Sequence, residues 1–99
     1  MSDHSLSTSV GEAATVLNVP GGDLVSVDWV NVTPVGGACW FNPWGGDAGV
    51  GATNSIYVAS GATRTFRWSG NITAHSHTGA GTITVVCEAW RTGDYTDVP

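Results

Sequence analysis

Clusters of turn-forming residues cut this chain into pieces too short for ordinary helices. Pro20-Gly21-Gly22-Asp23, Pro34-Val35-Gly36, the stretch from Pro43 to about Thr53, Ser60-Gly61, Ser69-Gly70 and Thr78-Gly79-Ala80-Gly81 leave runs of roughly five to ten residues between them. Inside those runs the apolar residues recur with period two, the repeat of a strand with one face buried. Strands are expected near 14–19, 24–32, 37–42, 55–59, 63–68, 71–76 and 82–90. Fourteen glycines, together with many Val, Thr and Trp residues, favour strands joined by tight turns. The expected fold is all-β: a small antiparallel β-sandwich of about seven strands.

With 99 residues the chain is expected to form one domain, 14–99, preceded by an extended polar arm, 1–13, in which Leu6 and Val10 are the sizeable apolar side chains besides Met1. Alternation assigns Leu17 with Val19, Val25 with Val27 and Trp29, Ile56 with Val58, Phe66 with Trp68, Ile72 with Ala74, and Ile83 with Val85 to the core. The other side of the strands carries Asp28, Tyr57, Arg67, His75, His77, Thr84, Glu88 and Trp90. In Cys39-Trp40-Phe41-Asn42-Pro43-Trp44, Cys39 and Phe41 share one face and Trp40 and Asn42 the opposite one. Some further surface is needed to cover whichever pair points out.

Charge narrows the range of partners. Eight acids stand against three arginines and no lysine, a net charge of −5, which disfavours nucleic acid and anionic membrane as partners. No apolar run is long enough for a membrane-spanning helix, and the start MSDHSLSTSV lacks the basic and apolar regions of a secretory signal, so either cytosolic synthesis or an already processed form is expected. In the cytosol Cys39 and Cys87 read first as two buried thiols. The alternative is a disulfide between them, closing a loop of about 48 residues and contributing about 4 kcal/mol on the chain-entropy model.

His75-Ser76-His77 places two imidazoles on one strand face, but two ligands hold a metal poorly. A threefold axis past the pair would offer six nitrogens, an arrangement that resembles the His-x-His site in phage tail-spike tips without the long repetitive β-structure of those chains. A solvated strand end is the preferred reading, with no metal and no cofactor expected. Gly46-Asp47-Ala48-Gly49-Val50-Gly51 lacks both the spacing and the following helix of a phosphate loop, and Asp47 alone falls short of a calcium site. Asn31-Val32-Thr33 and Asn71-Ile72-Thr73 match the glycosylation pattern, a common chance match. No nucleophile elbow or acid–base constellation singles out a catalytic residue, so no enzyme activity is expected.

Five tryptophans in so short a chain remain to be explained. Trp29 and Trp68 fall in phase with the core, leaving Trp40, Trp44 and Trp90 for contacts with a partner, since such side chains anchor protein interfaces and stack on sugar rings. The segments AATVLNVP, VSVDWVNVTPVGGACWFNPW, SIYVASGATRTFRW, SGNITAHS and GTITVVCEAWR, in this order, resemble the layout of small β-sandwich virion proteins of tailed bacteriophages. That resemblance covers about the last seven-eighths of the chain and implies a structural role, most simply a capsid decoration (cement) protein bound to the major capsid protein or other virion proteins. It further implies a homo-oligomer, a trimer first, assembled in the host cytoplasm and resident in the virion. Trp40, Phe41, Trp44, Trp90 and Tyr57 are the expected partner contacts, with the arm reaching a neighbour. The second expectation is a carbohydrate-binding or receptor-binding tail or fibre component that uses exposed tryptophans.

Overall fold

The computed structural model describes residues 5–17, 28–49, 51–68 and 71–90, with Ser5 and Trp90 described through the backbone. Among the described residues there are eight strands: β1 (Ser5–Val10), β2 (Thr15–Val16), β3 (Trp29–Val35), β4 (Cys39–Asn42), β5 (Ile56–Val58), β6 (Arg64–Arg67), β7 (Thr73–Ser76) and β8 (Ile83–Trp90). They form two four-stranded sheets, β1-β8-β3-β6 and β2-β7-β4-β5. Every pairing is antiparallel, and β1 pairs with β8, β2 with β7, β3 with β6 and β4 with β5. Such nesting describes one long ribbon, folded at the β4–β5 connection and wrapped so that its halves make two facing sheets. It is the strand order of a jelly roll.

The core lies between the sheets. Val10, Val30, Val32, Phe66, Ile83, Val85, Cys87 and Ala89 from the first sheet meet Cys39, Phe41, Val58 and Ala74 from the second, with Leu17 and Ile72 buried alongside them. Phe41 and Phe66 bridge the gap with ring centroids 6.0 Å apart. Each of these rings removes enough apolar area from water to contribute about 2–3 kcal/mol. At the β3–β4 corner the sheets come too close for a side chain: a Cβ on Gly37 would lie 2.8 Å from Ile83 Cγ2 and 2.9 Å from Ala80 Cβ.

Several expectations are corrected here. Residues 5–10, expected within a free arm, are the edge strand of the first sheet, paired with β8 from Ser5↔Glu88 to Val10↔Ile83. Alternation explains it: Leu6, Thr8 and Val10 share the inner side while Ser7 and Ser9 face out, and both Thr8 and Val10 are buried. A segment already paired on one side has only its outer edge left for a neighbour. Trp29, expected in the core, is half-buried on the outer face, with the Arg67 guanidinium 5.3 Å from its ring centroid. The inner positions of β3 belong instead to Val30, Val32 and Pro34, all buried.

Pro34, expected to break the chain, lies inside β3, which continues to Val35. Its carbonyl accepts from Gly61 N at 2.7 Å, so its nitrogen faces the side where the β6 ladder has already ended at Val32↔Arg64. The expected core residues Val19, Val25 and Val27 lie outside the described residues. Trp68 and Ile56 pack partly buried against the core.

Thr8 Oγ1 is buried without a hydrogen-bond partner. Thr8→Val keeps the shape and removes that desolvated hydroxyl, so it should raise stability by about 1 kcal/mol in urea unfolding.

Candidate functional site

The outer face of the second sheet carries the aromatic groups. Trp40 on β4 is directly opposite His75 on β7 and Tyr57 on β5, so strand register sets these three side chains in one row across the sheet. Their neighbours along the chain, Cys39, Phe41, Val58, Ala74 and Ser76, all point into the interior and are buried. Two residues beyond His75, His77 returns to the outer face, where its Nδ1 accepts a 3.0 Å hydrogen bond from Trp40 Nε1. Tyr57 meets both rings edge-on, 5.2 Å from Trp40 and 5.5 Å from His77 between centroids. Trp40, Tyr57 and His77 therefore form one interlocked cluster.

The glycine-rich loop between β4 and β5 is the folded end of the ribbon, and it doubles back over this face. Asn42 organises the turn: its Oδ1 accepts from Trp44 N at 3.0 Å, and its Nδ2 donates to the Asp47 carbonyl at 2.9 Å. Gly49 N donates to Ser55 Oγ at 2.8 Å, pinning the far side of the loop. Gly49 then rests on His75: its φ of 131° is open to few L-residues, and a Cβ there would lie 3.3 Å from the imidazole. The loop thus covers Asn42 and the His75 end of the row. The Tyr57 end of the row stays open, with Tyr57 48% exposed, and Trp44 on the loop is 65% exposed.

Of the expected contact residues, Trp40, Tyr57 and Trp44 belong to this region. Phe41 does not: it is fully buried against Phe66, because its strand phase points it between the sheets. The side chain of Trp90 lies outside the description, although its backbone pairs with Trp29. The polar outer half of the Cys39–Trp44 stretch finds its cover in the chain itself, since Asn42 is buried beneath its own loop.

His75 and His77 share the outer face without converging on a common centre. His75 Nδ1 is 2.7 Å from the Ser76 carbonyl, and His77 Nδ1 is taken by Trp40. Among the described residues no group of three or more His, Cys, Asp or Glu side chains is arranged to hold a metal. The pairing of His77 with Trp40 was not legible in the sequence, because it depends on the β4–β7 register.

Cys39 and Cys87 are free, buried thiols, one in each sheet. Burial pushes Cys39 up to about 11, against weaker opposing backbone hydrogen bonding at His75 and Trp40. Burial and then the nearby Cys39 push Cys87 up to about 12. Neither is a nucleophile near neutral pH.

Comparison with family models, with curated proteins and with solved structures finds no match in any of the three.

The loop contact and the thiols each make an expectation. Gly49→Ala forces a side chain onto His75 at an unfavourable φ and should cost about 1–2 kcal/mol, seen as a lower urea midpoint. Both thiols titrate higher in the folded state than the ordinary value of 9.0, so above that pH the unfolded chain loses protons first. Their contribution to stability is whole below about pH 9 and declines from there toward about pH 12. Unfolding measured across that range should show this slope flattened in a Cys39→Ala/Cys87→Ala variant.

Proposed function

We propose that this chain is a non-enzymatic virion structural protein of the capsid-decoration kind, docking on the major capsid protein through the open aromatic end of its second sheet. The observation that carries the reading is the interlocked Trp40–Tyr57–His77 cluster on the outer face, with Trp44 exposed on the loop that follows the same strand. Large aromatic groups held rigid before binding lose little conformational freedom on docking, and this makes them effective anchors. The jelly-roll strand order is compatible with this role, since capsid and lectin domains both use it, though it does not decide between them. Trimers set on the threefold positions of the lattice are the assembly that the phage-protein resemblance implies.

A sugar is the second reading, favoured by the exposed Trp44 ring, a flat apolar face that suits stacking on a pyranose ring. The two readings separate by experiment. Trp44→Ala should weaken binding to capsids that lack the protein by about tenfold or more while leaving the melting temperature unchanged, and Tyr57→Ala should weaken it as much with a small loss of stability from its two ring contacts. Undiminished capsid binding in both variants would overturn the docking face. A change of tryptophan emission on adding host glycans, without binding to capsids, would replace it with the sugar reading.

A further inference from the structure

His77 is the acceptor that fixes Trp40. An indole N–H can only donate, so the 3.0 Å bond requires His77 Nδ1 to be free of hydrogen, with the ring proton on Nε2. The two rings lie 29° from parallel with centroids 6.2 Å apart. That separation, together with the N–H to N bond, places the imidazole at the indole edge and not over its face. An aromatic edge carries the positive side of the ring quadrupole, and here the N–H dipole adds to it. Tyr57 leans on both rings, so its position depends on theirs.

We propose that protonation of His77 gates the aromatic face. A proton on Nδ1 sets two N–H donors against each other, breaks the bond to Trp40 and loosens the Trp40–Tyr57 pair. The face is then organised while the imidazole is neutral and disordered in acid. Among the described residues, the titratable Tyr57 of β5 touches the His77 ring, and His75 lies two residues before it on the same face, adding like charge when protonated. Trp40 from β4 carries no charge, and the carboxylate of Glu12, near the β7–β8 turn, is engaged on Gly81 N at 3.0 Å. Among the described residues no ion pair offsets the new charge. The use of this gate rests on the docking role proposed above, but the gate itself operates in the isolated chain.

Nitrogen-edited NMR of the indole N–H signals tests it, with Trp40 assigned by its loss in Trp40→Phe. Between about pH 8 and about pH 5 the range of imidazole chemistry is covered. The Trp40 signal should move in one titration step in the native chain. It should stay fixed in His77→Asn, whose Oδ1 replaces the Nδ1 acceptor and cannot be protonated there. A stationary Trp40 signal in the native chain, or equal movement in His77→Asn, would overturn the gate. Capsid binding should weaken about three- to tenfold over the same range, the worth of one hydrogen bond, in the native chain alone. Absence of capsid binding at both pH values, with the Trp40 titration intact, would sink the docking role and leave the gate standing.

Discussion

The β3–β8 ladder, running from Trp29↔Trp90 to Val35↔Thr84, is the contact on which the rest of the structure depends. These are the two longest strands described, and they make up the middle of the first sheet. Their register puts Val30 opposite Ala89, Val32 opposite Cys87 and Pro34 opposite Val85, all pointing inward. A slip of one residue in either strand would turn that whole row out to solvent. Once the ladder is set, β1 can add only to the free side of β8 and β6 only to the free side of β3. The nested pairing then carries the chain alternately between sheets until the β4–β5 fold.

Alternation along single strands was legible in the sequence; pairing between strands was not. The inward direction of Phe66, Ile72, Ala74, Ile83 and Val85 follows from period two alone, and the same rule separates Cys39 and Phe41 from Trp40 and Asn42. Trp29 misled because its phase was taken from Val25 and Val27, whereas within β3 the inner positions begin at Val30. Residues 5–10 misled because a strand with one apolar side and serines on the other has the composition of a linker. Only the presence of β8 beside it turns Leu6-Ser7-Thr8-Ser9-Val10 into part of a sheet. Pro34 illustrates the same limit, since a proline is tolerated there only where the neighbouring ladder has stopped.

The aromatic cluster shows register making a site from residues far apart in the chain. Trp40, Tyr57 and His77 come from three different stretches and meet because β4 lies between β5 and β7. Had β4 been an edge strand, Trp40 would lack either the Tyr57 ring on one side or the His77 acceptor on the other. Its central position supplies an edge-on ring on one side and an imidazole nitrogen on the other. The indole is therefore held in a single orientation although it lies on an outer face. Rigidity of this kind is what allows an exposed aromatic surface to bind without a large ordering cost.

The loop at the fold of the ribbon argues for a partner more strongly than the tryptophan count does. It is long enough to cross the face, and it buries Pro43, Ala48 and Gly49 while doing so. Its hydrogen bonds centre on Asn42, whose side chain holds both Trp44 N and the Asp47 carbonyl. That geometry determines where the Trp44 backbone lies, and its ring projects away from the apolar surface a few residues distant. A loop that served only to cover the sheet would gain about 2 kcal/mol or more by folding such a ring inward. Here the same turn that shields Asn42 and His75 ties down the Trp44 backbone while its ring stays in solvent, so the outward ring belongs to a bonded turn and not to a loose end. On the docking role proposed above, an apolar group kept exposed by a well-bonded turn is the one a partner surface would take up.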